Sequence, residues 1–224
     1  MARRHTTAHI AVTKNLDRAR ALSRIFDSGN LKPKPGDRRG PGNPSGEERE
    51  LLRAAVIFSI GALDAYLSDV AAEVLVGQLE KARLPTPDAR NLLRRIQSEI
   101  PTLPFELALT NDRDERLQIA QDAIGEHLSN RVSNHGAKGV ASTLGRLGAA
   151  VDWEAVPLAP ASSLRTTTTT SCADVLDRWT DMRHQLVHQG KAIKVNAEQA
   201  RELIDFVDAI VQHVDKQALA ALAT

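Results

Sequence analysis

The amino-acid sequence predicts an all-α domain, and three observations carry that prediction. Ala and Leu supply 58 of the 224 residues, whereas Val and Ile supply 26 and the aromatic residues seven, a balance that favours helix over sheet. Apolar residues recur at i, i+3, i+4 and i+7 through several long segments, as they do along one buried face of a helix. Pro85, Pro87 and Pro101 stand at the edges of those segments rather than inside them. The length suits a single domain over 1–224.

The first helix is expected over Thr7–Phe26, with Ile10, Val12, Leu16, Leu22 and Ile25 interrupted by basic residues. Residues 29–46 follow, half of them Gly or Pro (nine of 18), and read as an exposed loop or linker. The second and central helix occupies 47–84. Ser45 is its candidate cap, Glu47, Glu48 and Glu50 suit the positive end of the helix dipole, and Pro85 stops it. Its wide apolar surface, including Leu52, Val56, Phe58, Leu63, Tyr66, Leu67, Val70 and Val74, predicts burial on several sides. A third helix opens at Pro87-Asp88 and closes at Pro101, a fourth runs from Asp112 to about Val132, and a short fifth from Ala137 to Leu147. Residues 151–170, with five consecutive threonines at 166–170, read as irregular. The motif helix and closing helix span 172–222. Gly190 stops the former, and Asn196 with Gln199 three residues later forms a capping box for the latter. Leu203, Phe206, Val207, Ile210, Val211 and Val214 make an unbroken stripe. The two helices are expected to lie antiparallel.

Composition also excludes classes. Charged residues make up 25% of the chain, which argues against global disorder. The longest uncharged runs, Ala54–Leu63 and Ala155–Leu164, have ten residues each, half of what a membrane-spanning helix needs, so no membrane partner is expected. A lone Cys172 permits neither an intrachain disulfide nor a cysteine-based zinc site, and the start of the chain has no apolar signal core, so the reading is cytoplasmic. Residues 1–46 hold ten Lys or Arg against three Asp, net +7, while 47–224 carry net −6. A basic head on an acidic body suits a polyanion.

The chemistry concentrates at one place, Asp181-Met182-Arg183-His184-Gln185-Leu186-Val187-His188-Gln189-Gly190. Arginine is a permanent planar cation that suits phosphate oxygens, and histidine can give or take a proton near neutral pH. Together they are a minimal set for attack of an RNA 2′-hydroxyl on its neighbouring phosphorus. His184 and His188 share a helix face at i, i+4. Arg183 and His188, five apart, differ by about 140° around the axis and about 7.5 Å along it. They converge on one phosphate only if the last turn loosens or a partner chain completes the site.

Arg183-His184-Gln185-Leu186-Val187-His188 resembles the R-x(4–6)-H motif of the HEPN superfamily, with a polar residue after the arginine, a glycine soon after the histidine and a final amphipathic helix. Arg3–His9, Arg4–His9 and Arg178–His184 satisfy the bare spacing but lack that context. The resemblance rests on 172–222 and extends to 47–84. It implies a HEPN-like bundle with an inserted Gly/Pro-rich loop and additional helices. It further implies a metal-independent endoribonuclease, a toxin or phage-defence effector, that works as a homodimer with a cognate antitoxin or regulatory protein. On that resemblance the catalytic residues are Arg183, His188, His184 and Asp64, the last matching an acidic position of the family's central helix, with Asp69 a weaker match. RNA contacts are expected from Lys191, Lys194, Lys32, Lys34, Arg38 and Arg39. No cofactor and no metal are expected. A non-catalytic HEPN module that binds RNA or protein is the alternative.

Other readings are poorer. His184-Gln185-x-x-His188 departs from the zinc-protease H-E-x-x-H by losing the general base. The tyrosine that some HEPN proteins carry two residues after the motif histidine is Gly190 here. His5, His9, His127, His135 and His213 show no ligand spacing with carboxylates and read as solvent-facing. Arg183 paired with Asp181 or a carboxylate elsewhere, and His188 simply capping the helix end, remain the bland account of the motif.

Overall fold

Helices account for 85% of the residues described by the structure, a computed structural model covering 5–28, 46–81, 86–131, 136–157, 171–188 and 193–223. In chain order they are α1 (Thr7–Ser28), α2 (Gly46–Glu80), α3 (Pro87–Glu99), α4 (Leu103–Leu109), α5 (Arg113–Arg131), α6 (Gly136–Arg146), α7 (Cys172–His188) and α8 (Ala197–Ala223). No strand occurs among the described residues. The all-α prediction holds, and seven of the eight helices sit where the sequence periodicity places them. Ser45, Pro85, Thr166–Thr170 and Gly190 lie outside the described residues.

The chain divides into two compact units, and the division falls inside α1, α2 and α8. In the unit formed by 12–63 and 153–210, the core is Val12, Leu16, Leu52, Val56, Ile60, Val175, Leu176, Trp179, Leu203, Phe206 and Val207. Arg20 donates to Asp208 at 2.9 Å, and Arg53 donates through Nε to the Ile193 carbonyl at 3.2 Å. Ser59, fully buried, returns its hydroxyl to the Ala55 carbonyl at 2.7 Å, which satisfies the one polar side chain on that turn. The capping box forms as expected: Asn196 Oδ1 accepts from the Gln199 amide at 2.7 Å and Gln199 Oε1 accepts from the Asn196 amide at 3.2 Å.

In the unit formed by 1–11, 64–152 and 211–224, α3 packs on α5 and α6, and α4 packs on α5. Thr86 caps α3 by accepting from the Ala89 amide at 3.1 Å and donates its hydroxyl to the Arg146 carbonyl at 3.0 Å, tying the start of α3 to the end of α6. Gly148 ends α6 at φ +80°, where the Ala149 amide reaches the Leu144 carbonyl at 2.9 Å, a Schellman close that a side chain at 148 would strain. Tyr66 is fully buried and donates to the Val211 carbonyl at 3.3 Å.

Four local expectations need correction. The stripe of α1 is Ala8, Val12, Leu16, Ala19 and Ser23, and Ile10 and Ile25 face solvent, because the alanines complete the buried face that the larger residues left incomplete. Phe58 on α2 is exposed rather than buried. α4 was not foreseen: it buries no residue, carries Phe105 and Leu109 in solvent and begins beside Pro104. α2 is long enough to cross a bilayer and holds an 18-residue window of mean hydropathy 1.5, because isolated carboxylates such as Asp64 and Asp69 break the uncharged runs without making the segment polar. Yet 56% of that window is buried against protein, as a core helix is.

Candidate active site at the end of the motif helix

α7 starts on a reciprocal cap. Ser171 Oγ accepts from the Asp174 amide at 3.1 Å, and Asp174 Oδ2 accepts from the Ser171 amide at 3.2 Å. Its first half is anchored by buried Cys172, Val175, Leu176 and Trp179. Beyond Trp179 no residue is fully buried, and Asp181, His184, Val187 and His188 are exposed. The helix is therefore rooted at one end and presents its polar residues at the other.

Arg183 is half-buried, and its Nε is shielded from solvent without a hydrogen-bond partner among the described residues. No ion pair joins its guanidinium to a carboxylate among the described residues, which removes the Arg183–Asp181 account. Positions two apart on a helix point in different directions, and Asp181 is exposed. A buried N–H left without an acceptor costs about 1–3 kcal/mol, more on a charged group.

The His184 and His188 rings lie 4.8 Å apart, tilted by 46°, so the shared face read from the i, i+4 spacing is present. α7 stays helical through His188, so its last described turn does not loosen. Arg183 and His188 thus keep their separation of about 140° around the axis.

Asp64 is half-buried on α2, and its backbone carbonyl accepts from Ser68 Oγ at 3.4 Å. Asp69, the weaker candidate, has its carboxyl pushed up by desolvation and then by Glu73, another carboxylate. Lys194 is exposed, whereas Lys191, Lys32, Lys34, Arg38 and Arg39 lie outside the described residues.

Three histidines expected in solvent, His127, His9 and His213, are buried or half-buried. His127 is buried, with Nδ1 2.8 Å from Glu99 Oε2. His9 is half-buried and meets His5 and Asp215. The His5–His9 spacing was visible in the sequence, but Asp215, at the other end of the chain, was not. His213 Nε2 accepts from the Asp152 amide at 3.4 Å, and His135 lies outside the described residues.

The sequence profile of the RiboL-PSP-HEPN family matches residues 13–220, nearly the whole chain. The chain belongs to the RiboL-PSP-HEPN family. No curated protein and no solved structure matches it. Membership makes most of α1 and all of α3–α6 part of the same HEPN match as the motif helix and points to a nuclease-type or RNA-related function. Arg183, His184 and His188 all fall within the matched residues.

Proposed function

We propose that this HEPN domain is a metal-independent endoribonuclease that cleaves RNA by transesterification, acting in the cytoplasm as a toxin or phage-defence effector. The supporting observation is the end of α7: a half-buried Arg183 guanidinium with no ion pair among the described residues, next in sequence to His184 of an exposed imidazole pair. Arg183 binds the scissile phosphate and stabilises the charge that builds on its oxygens in the transition state. The 2′-oxygen bonds to phosphorus, the bond from phosphorus to the 5′-oxygen breaks, and the products are a 2′,3′-cyclic phosphate and a 5′-hydroxyl. His188 carries the proton to or from the reacting oxygens, and His184 shares that work or orients the phosphate. Lys194 and the basic residues of the head, with Lys191, add phosphate contacts whose strength falls with salt. The continuous helicity of α7 through His188 favours a two-fold homodimer in which Arg183 and His188 of different subunits meet. A cognate antitoxin or regulatory protein restrains it.

The test is incubation of purified protein and the His188→Ala variant with defined RNAs, with and without EDTA, followed by analysis of product ends. Cyclic phosphates that resist EDTA and vanish in His188→Ala support the reading. RNA bound but uncut by the parent protein makes the domain a binding module instead.

A further inference from the structure

A second polar cluster lies at the start of α1 and has no part in the proposed cleavage. His5 Nδ1 stands 3.1 Å from Asp215 Oδ2, and His9 Nδ1 stands 3.5 Å from the same oxygen. The two imidazoles stack at 4.1 Å with 17° between their planes, and the three ligand atoms all lie within 4.8 Å of one another. Bonds of 2.0–2.2 Å to a common ion place neighbouring ligand atoms about 3.0 Å apart in octahedral and about 3.4 Å apart in tetrahedral coordination. The observed separations need only small side-chain rotations to accept one.

The cluster is held from behind. Asp215 is 2% exposed, and its other oxygen, Oδ1, accepts from the Thr6 amide at 3.2 Å and from the Thr6 hydroxyl. Thr6 in turn accepts from the His9 amide at 3.1 Å, so one short network fixes both the carboxylate and the turn that carries the histidines. Oδ2 is left pointing at the imidazoles, as supporting hydrogen bonds do for a metal-ligating carboxylate. A second buried carboxylate, Glu73, sits close by and accepts from the Thr7 and Ala8 amides at 3.1 Å each. The outer side is an open cleft shared with Gln212, Lys216 and Leu219, which leaves room for water to complete the coordination.

We propose that His5, His9 and Asp215 bind a divalent transition-metal ion of the zinc class, which staples the start of α1 to the last turns of α8. Two imidazoles and one carboxylate suit zinc, nickel or cobalt and not the all-oxygen preferences of magnesium or calcium. Each histidine coordinates through Nδ1 and carries its proton on Nε2. The ion links residues 210 positions apart, so its role is to stabilise the fold.

The test is calorimetric titration of tag-free, full-length, EDTA-stripped protein with Zn²⁺, together with thermal melts and the visible spectrum of the Co²⁺ adduct. One equivalent should bind, raise the melting temperature and give a Co²⁺ band. His5→Ala, whose side chain is half-exposed and expendable for folding, and His9→Gln should each weaken binding at least tenfold. The His184→Ala/His188→Ala double variant should bind as the parent does, which separates this site from the other histidine pair. Absence of a thermal shift, binding unaltered in His5→Ala and His9→Gln, or binding lost in the double variant overturns the proposal. None of these readouts depends on RNA cleavage, and running the EDTA arm of the cleavage assay well below the melting temperature of the stripped protein keeps the two proposals separable.

Discussion

Two histidine pairs with the same i, i+4 spacing end up in opposite surroundings. His5 and His9 face a buried carboxylate that is itself tied to the backbone, whereas His184 and His188 face solvent beside an arginine without an ion pair among the described residues. The first pair is joined to the structure around it. Among the described residues, the second has no hydrogen-bond or ion-pair partner, and it stays open to a ligand. Spacing alone therefore does not distinguish a structural cluster from a reactive one. The presence and burial of a counter-charge do.

The contrast can be broken by substitution. Arg183→Ala should have the largest effect, lowering RNA cleavage by roughly 10²–10³-fold, the usual loss when a transition-state donor is removed, with the circular dichroism spectrum unchanged. Cleavage within threefold of the parent would remove Arg183 from the mechanism. Next comes Asp215→Ala, which strands the Thr6 amide and hydroxyl and should cost about 2–3 kcal/mol of stability in urea unfolding even without metal. A loss under about 0.5 kcal/mol would show that the carboxylate does not anchor the first pair. Asn196→Ala, which removes half of the capping box, should cost about 1 kcal/mol. The His184→Ala/His188→Ala variant should stay within about 0.5 kcal/mol of the parent, since both rings are exposed; a larger loss would mean that they support the fold.

The smallest effect concerns pH. The Asp69 carboxyl titrates above its usual range because of desolvation and Glu73, so the folded state holds this proton more tightly than the unfolded state. Its contribution favours folding below the unfolded value and is lost as pH rises through the folded value. Asp69→Asn should therefore melt at the same or a higher temperature than the parent at pH 7. A lower melting temperature would show that the charge has a favourable partner.

Long, strongly patterned elements were readable in the sequence. Every residue of the expected α8 stripe, from Leu203 to Val214, is buried, and the Asn196–Gln199 box forms as written, because both depend on contacts within three or four residues. α4 escaped because Leu103–Leu109 buries nothing, leaving no apolar stripe to detect. The α1 face was blurred because Ala8 and Ala19 count little in hydropathy yet pack fully. At the candidate site, the His184–His188 proximity followed from helix geometry. The Arg183 environment did not, since an unpartnered nitrogen is a property of everything packed around it. Asp215 beside His5 was out of reach for the same reason: only the fold brings together residues 210 apart.

The unbroken rod of α7 has a consequence for genetics. If the guanidinium of one subunit works with the imidazole of the other, Arg183→Ala and His188→Ala chains, each inert alone, complement when mixed. Half of a randomly paired population is then heterodimer, and each heterodimer keeps one intact centre and one doubly damaged centre, so about a quarter of wild-type turnover returns. Two dead alleles would together make a living one.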